Sequence, residues 1–367
     1  MNKIFILAGE TSGDLHGANL CEAMLKLKPS LELEGWGGDS MKHKGVKITK
    51  HINELAFMGF AEVLMNIRTI FQNFDLCKKQ ITDFKPDAVI LIDYPGFNLR
   101  MAKWLKENNY KVIYYISPQI WAWKESRIKI IKQYVDKMLV ILPFEKEFYQ
   151  KYNYEVEFVG HPLIDEIENR KVEKTELSSK KNIALLPGSR KQEIKIILPI
   201  MLQTARSFPS EQFIICGLNA HHIDFYNQFD KSSNVSIQIN ETYEILSKSK
   251  AALVTSGTAT LETALFNVPQ IVCYKGNFIS YLIAKQLVKI KYISLVNLIL
   301  DRPLIHELIQ NQCRPETIKP ILSQLIEQSE NYNLILKGYR ELIERLGNKG
   351  ASTRAAQIIL TYLNVDR

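Results

Sequence analysis

Thr255-Ser256-Gly257-Thr258, followed by Glu262, has the residue types and spacing to hold a hydroxylated, anionic ligand. A short apolar run, Ala251–Val254, precedes it and is too short for anything but a buried strand. A helical segment over Ala259–Phe266 follows, and Asn267 with Pro269 ends it before a second apolar run, Gln270–Cys273. Strand, tight turn, helix and strand make one unit of a parallel α/β sheet. Such sheets bind ligands beyond the carboxyl ends of their strands, where helix N-termini offer N–H groups. Ser, Thr and Gly are also ordinary helix-entry residues, so capping alone explains the turn. Glu262 is not explained that way, because a capping-box Glu lies three residues after a Ser or Thr and position 259 is Ala. Its carboxylate is therefore expected to be free for a ligand such as a ribose.

A second turn, Pro187-Gly188-Ser189-Arg190, follows a strand over Asn182–Leu186. Ser189 and Gln192 have capping-box spacing, which puts Arg190 in the first helical turn. A cation there opposes the helix dipole unless an anion binds with it, so Arg190 and the helix N–H groups read as a diphosphate site. Earlier in the chain, Asp93 ends the strand Asp87–Asp93, and Tyr94–Asn98 form a loop into a helix ending near Asn109. An Asp at the carboxyl end of a buried strand is either a cap or a catalytic group. The first strand, Lys3–Ala8, runs into Gly9-Glu10-Thr11-Ser12-Gly13-Asp14 and a helix through about Leu27. Glycines so placed admit phosphate or sugar, although the pattern is not GxGxxG. His161, after Gly160, is equally a cleft ligand or a satisfied structural histidine, and Trp121 and Trp123 read as packing.

These elements need two domains, and 367 residues supply two of ordinary size, each able to bury a core. The expected division is 1–166 and 167–348, with a final helix at about 349–367 packing back on the first domain or on a partner's. A net charge of +8 implies an anionic partner: phosphate-bearing substrate, anionic lipid or nucleic acid. Lysines are dispersed instead of massed in an arm, which argues against nucleic acid. Five cysteines without CxxC spacing read as free thiols in a reducing compartment, with no metal site. No signal peptide or membrane span is expected. The segment Phe57–Phe74 reads as a helix with Met65, Ile67, Ile70 and Phe71 adding bulk on several faces, which suits either the core or contact with lipid.

Two α/β domains facing a cleft, with a cation at one helix start and a Glu at another, follow the plan of B-type (GT-B) nucleotide-sugar glycosyltransferases. The chain resembles the lipid-A-disaccharide synthase family along nearly its whole length. The resemblance is carried by AGETSGDLHGANL (Ala8–Leu20), LAFMGFAEVL (Leu55–Leu64), IDYPGFN (Ile92–Asn98), SPQIWAWK (Ser117–Lys124), LPFEKEFYQKY (Leu142–Tyr152), VGHPL (Val159–Leu163), LLPGSRKQEI (Leu185–Ile194), TSGTATLE (Thr255–Glu262) and YISLVNLI (Tyr292–Ile299). It implies an inverting transfer of 2,3-diacylglucosamine from UDP to the 6-hydroxyl of 2,3-diacylglucosamine 1-phosphate. The products would be a β-1,6 disaccharide 1-phosphate and UDP, made at the cytoplasmic face of the inner membrane by a peripheral protein. It implies no cofactor or essential metal, and a homodimer. Asp93 is then the expected base, with Glu10 and His16 as rivals. Gly188, Ser189, Arg190, Ser256, Gly257, Thr258, Glu262 and Asn297 would hold the donor, and Ser12, Gly13, Asp14 and Asn98 the acceptor side. Gly96 stands where many relatives carry a second acid, and Val296 where they carry Pro. The alternatives are a non-hydrolysing UDP-sugar epimerase of the same fold, or a non-catalytic basic protein that binds lipid.

Overall fold

The structure is a computed structural model that describes residues 3–55, 67–170, 180–218, 221–277 and 290–365. The chain forms two compact units, one comprising Met1–Asp165 with Gly347–Arg367 and the other Glu166–Leu346.

Unit 1 is built on seven parallel strands: β1 (Lys3–Ala8), β2 (Glu32–Gly37), β3 (Lys47–His51), β4 (Ala88–Ile92), β5 (Lys111–Tyr115), β6 (Lys137–Val140) and β7 (Glu157–Phe158). Their order is β3-β2-β1-β4-β5-β6-β7. The central strands are unbroken apolar runs, as AVILI in β4, because helices cover both faces of a parallel sheet. Alternate residues supply two cores. Phe5, Leu7, Val89, Leu91, Val112 and Tyr114 pack in one apolar cluster with residues of α3 (Ile67–Phe84), α4 (Pro95–Glu107) and α5 (Ile128–Tyr134). On the other face α1 (Thr11–Leu27) lies close enough for a Cβ at Gly13 to touch Ala8 and Ile92.

The C-terminal helix, Ala351–Val365, packs against α1 and closes unit 1. Asp165, buried in the helix Pro162–Asn169, accepts from the N–H groups of Gly350 (2.6 Å) and Ser352 (3.1 Å), and Arg354 Nε donates to the Val159 carbonyl (2.9 Å). A carboxylate on two N–H groups at a helix start is a charge-assisted cap.

Unit 2 repeats the plan with six parallel strands: β8 (Asn182–Leu186), β9 (Gln212–Gly217), β10 (Val235–Ile239), β11 (Ser249–Thr255), β12 (Gln270–Tyr274) and β13 (His306–Ile309). Their order is β10-β9-β8-β11-β12-β13. Two edge strands, β3 and β13, are absent from the sequence reading; KITKH and HELI are polar and half exposed, so neither shows a buried run.

Of the helix expected over Phe57–Phe74, positions 57–66 lie outside the described residues; the described part belongs to α3, which runs on past Phe74 to Phe84. Met65 and the side chain of Ile67 lie outside the described residues. Ile70 packs on the core of unit 1, whereas Phe71 is 61% exposed. Among the described residues no helix is long and apolar enough to cross a membrane.

Asp165→Ala is expected to destabilise unit 1 by about 1–2 kcal/mol, the worth of a strong cap. Hydrogen exchange should rise in the C-terminal helix and α1 first; unchanged protection there would refute this role for Asp165.

Candidate functional site

In each sheet the strand order reverses at one place, between β1 and β4 in unit 1 and between β8 and β11 in unit 2. Ligands of open α/β sheets bind beyond the carboxyl ends of the strands at such a reversal. Ala8 pairs with Ile92, and Val254 with Leu186. The residues directly beyond these pairs are Gly9-Glu10 and Asp93-Tyr94 in unit 1, and Pro187-Gly188 and Thr255-Ser256 in unit 2. Topology thus brings the turns singled out by sequence to the switch point of each unit.

In unit 1, Asp93 (φ 44°) and Tyr94 (φ 45°) are successive non-glycine residues in the left-handed region. Their backbone is pinned from several sides. The Asn98 amide, wholly buried, donates to the carbonyls of Asp93 (2.9 Å), Ile92 (3.1 Å) and Leu7 (3.4 Å). Tyr114 donates its hydroxyl to the Asp93 carbonyl at 2.5 Å, and the Asp93 N–H reaches Tyr115 O. The Tyr94 ring lies against Gly9, where any Cβ would stand 2.3 Å from it.

The carboxyl group of Asp93 is pushed up to about 7, first by burial and then by the negative charge of Glu10, opposed by a hydrogen bond from the Tyr94 N–H. An acid poised near neutrality can take and release a proton at physiological pH. Glu145 is a useful contrast. Burial pushes it to about 7 as well, but its oxygens accept from Leu142 N (2.9 Å), Ile141 N (3.3 Å) and Trp121 Nε1 (3.2 Å). It holds the segment after β5 in place and has no reactive edge to offer.

The other first-unit candidates separate clearly. Glu10 is exposed at the start of α1 and makes no capping hydrogen bond. His16 lies in α1 near His161, whose pKa falls to about 3 mainly through burial and partly through His16. His161 accepts from Leu163 N through Nδ1 (3.2 Å) and is a structural cap. Ser12, Gly13 and Asp14 are helical, in α1 itself, with Ser12 exposed. Asp14 is buried and turned inward, accepting from the N–H groups of Gly38 (2.6 Å), Ser40 (3.0 Å) and Met41 (3.1 Å). It caps the helix α2 (Asp39–His43), with both oxygens engaged inside unit 1. The loop expected over Tyr94–Asn98 is helical from Pro95, so Asn98 positions the turn from beneath instead of facing a ligand.

In unit 2 the helix after β8 starts at Lys191, so Arg190 is its N-cap residue and the Ser189/Gln192 capping box does not form. Gly188 has φ 106°, and a Cβ there would meet Glu193 Oε2 at 2.9 Å. The exposed Arg190 guanidinium donates to Glu193 Oε1 (3.0 Å), and the Ser189 carbonyl is held by His221 Nε2 (2.7 Å). His221 is a positioning residue that lies 32 positions from Ser189, beyond any local pattern. The exposed Arg190 pair contributes little to stability, so the guanidinium can be recruited by a stronger anion at modest cost.

Beyond β11, Ser256 spends its hydroxyl on the Ile293 carbonyl (2.7 Å). Gly257, at φ 148°, has open space where a Cβ would be, and Thr258 is exposed and makes no capping bond. Glu262 is not free: Oε1 accepts from Tyr243 Oη at 3.0 Å, leaving Oε2 unpartnered among the described residues. Burial raises its pKa, while the Tyr243 hydrogen bond and the Arg170 charge hold it down. Arg170 stacks over the Tyr243 ring at 4.8 Å.

Asn297, expected to reach the donor, is buried and engaged within unit 2. The side chain is 1% exposed, with Nδ2 on Ile305 O and Glu307 Oε1 (both 2.9 Å) and Oδ1 on Ile305 N (3.0 Å). Glu307, unmarked in the sequence reading, collects Ile293 N (2.8 Å), Ser294 N (3.0 Å), Ser294 Oγ (2.6 Å) and Asn297. Glu307, Asn297 and Ser256 together fasten the segment around Ile293 beside the turn after β11.

A family profile described as Lipid-A-disaccharide synthetase matches residues 4–362. A lipid-A-disaccharide synthase of Syntrophus aciditrophicus is 39% identical over 373 residues, covering 98% of this chain and 97% of its own. Among solved structures, the glycotransferase of kitacinnamycin superposes with a TM-score of 0.68 at 11% identity, covering 98% of each chain. The UDP-GlcNAc 2-epimerase of Neisseria meningitidis, bound to UDP-GlcNAc, superposes with a TM-score of 0.65 at 15% identity, covering 98% of this chain and all of its own. At such identities these two likenesses speak for the fold, which is of the GT-B type. The family match and the sequence relative extend over nearly the full length, and the chain belongs to the lipid-A-disaccharide synthase family.

Proposed function

We propose that the chain joins UDP-2,3-diacylglucosamine to 2,3-diacylglucosamine 1-phosphate, with Asp93 as general base and unit 2 as donor holder. The observation that carries this reading is Asp93 itself: a carboxyl group tuned to about 7 on an immobilised turn at the switch point of unit 1. The acceptor's 6-hydroxyl oxygen attacks the anomeric carbon of the donor as Asp93 takes the hydroxyl proton. The bond from that carbon to the diphosphate oxygen breaks, UDP leaves with the electron pair, and configuration inverts from α to β. Negative charge grows on the departing diphosphate. Arg190 and the N–H groups at the start of the helix Lys191–Ala205 supply the complementary positive charge. Glu262 Oε2, its partner oxygen fixed by Tyr243, accepts from the ribose, and Gly257 admits the ligand where a side chain would block it.

Asp93 is preferred to its rivals on chemistry. Glu10 is exposed, and its influence is to raise Asp93 through its charge. His16 neighbours a histidine that burial keeps neutral. An epimerase shares the fold, but membership of the synthase family favours transfer. Peripheral attachment at the cytoplasmic face of the inner membrane fits acylated substrates, and the exposed Phe71 on α3 is the described apolar residue of that helix best placed to enter a bilayer surface.

Asp93→Asn is expected to lower kcat by 10²–10⁴-fold, about the worth of general base catalysis, with UDP affinity within about twofold. In the unsubstituted protein kcat/KM should fall as pH drops below about 7, where Asp93 becomes protonated. The same substitution should stabilise the protein at high pH. The folded state holds the Asp93 proton more tightly than the unfolded chain, so stability is lost as pH rises from about 4 through about 7. The Asn variant escapes that loss and should melt above the unsubstituted protein at pH 8, the gap narrowing as pH falls and closing only near about pH 4. An active Asp93→Asn enzyme would refute the assignment.

Glu262→Gln tests the donor side. It should weaken UDP binding about tenfold, roughly 1.4 kcal/mol, and leave kcat at saturating donor nearly unchanged. Equal UDP affinity in the two proteins, measured by calorimetry, would remove Glu262 from the site.

A further inference from the structure

A cavity of about 220 Å³ opens on unit 1 between α4 and α5, and its composition is not that of a packing defect. Arg100, Lys103 and Arg127 line it together with Gly96, Ile130 and Tyr134. Three cations share the walls, with no carboxylate beside them among the described lining residues. Lys103 has only Glu107, its neighbour along the helix, at 3.8 Å, and neither Arg100 nor Arg127 has an acidic partner among the described residues. What orients the two guanidinium groups is aromatic. Arg100 lies 6.0 Å over the Phe74 ring and Arg127 5.4 Å over the Trp123 ring. A ring fixes the plane of a guanidinium while leaving its N–H edge unspent, and that edge matches the oxygens of a phosphate. Burial lowers the pKa of Arg127, Tyr114 opposes that, and the charge of Arg100 lowers it further, so an anion between the two cations would relieve their repulsion. The remaining wall is apolar and partly exposed, with Ile130 at 37%.

We propose that this cavity binds the phosphate of an amphiphilic lipid, with Arg100 and Arg127 gripping the phosphate oxygens and Ile130 and Tyr134 facing the adjoining apolar part. It rests on the reading above in one respect: the phosphate of the acceptor sugar is the expected occupant. The turn that carries Asp93 runs straight into Pro95 and Gly96 of the cavity wall. A phosphate held here therefore tethers the acceptor beside its base while the hydroxyl end of the sugar stays mobile enough to react.

Arg100→Gln and Arg127→Gln, each checked for an unchanged melting temperature, test the site. In neutral detergent each variant should raise KM for 2,3-diacylglucosamine 1-phosphate at least tenfold. Turnover of the same sugar lacking its phosphate, and UDP affinity, should stay within twofold of the unsubstituted enzyme. Arg100 is exposed, so Arg100→Gln remains informative if the Arg127 variant fails to fold. A second arm measures sedimentation with phosphatidylglycerol against phosphatidylcholine vesicles. Loss of phosphatidylglycerol binding with an unaltered acceptor KM would assign the same phosphate chemistry to bilayer headgroups. A third arm measures glucosamine 1-phosphate binding by calorimetry, which needs no turnover. If no disaccharide forms even with the unsubstituted protein, the transferase reading fails, and binding that disappears in Arg100→Gln still supports the cavity. No change in any arm overturns the proposal.

Discussion

Asp93 and Tyr94 leave β4 at positive φ, where an L side chain crowds its own backbone at a cost of about 1–3 kcal/mol per residue. Such a conformation survives only when its surroundings leave no alternative. Here the carbonyls of Leu7, Ile92 and Asp93, at the ends of β1 and β4, converge on the single amide of Asn98. Tyr114 adds its hydroxyl from the neighbouring strand, and Gly9 leaves room for the Tyr94 ring. The strain is offset by hydrogen bonds that any relaxed turn would leave unmade inside the protein. Its product is a carboxylate held at a fixed place and kept from full solvation.

The two buried acids of unit 1 show why a shifted pKa is not by itself a sign of chemistry. Asp93 and Glu145 are both raised to about 7, mainly by burial. Glu145 is surrounded by donors on both oxygens and serves as a strut. Asp93 lies near a second carboxylate, Glu10, at the carboxyl end of a strand beside the order reversal, where ligands of open α/β sheets generally bind. Perturbation combined with an unspent edge distinguishes them.

Much of this architecture was legible because parallel strands buried on both faces write themselves as apolar runs, and the turns between them carry Gly, Ser, Thr and Asp. AVILI in β4 and the turns after β1, β4, β8 and β11 belong to that class. The half-exposed edges β3 and β13 do not, since their residues need not be apolar. The roles of individual polar side chains were harder to read for a different reason. Asn98 reaches back 91 positions to Leu7, and Glu262 is met by Tyr243 from 19 positions away. Asn297 has a polar residue's appearance and a core residue's surroundings because Glu307, ten positions on, turns it inward. Local spacing carries no trace of such partners. The cations of the α4–α5 cavity escaped for the same reason: Arg100 and Arg127 are unremarkable until two helices set them side by side.

The C-terminal helix gives the chain an order of assembly that differs from its order of synthesis. The polypeptide leaves unit 1 after Asp165 and returns only at Gly347, so unit 2 is an insertion within unit 1. Unit 2 is complete once Leu346 has emerged from the ribosome, while α1 still lacks the helix that covers it and Asp165 still lacks the N–H groups it caps. Domains generally fold as units as they emerge. The unit made first is therefore the unit finished last, and a chain truncated by even its last two turns of helix would carry an intact unit 2 and an unsealed unit 1.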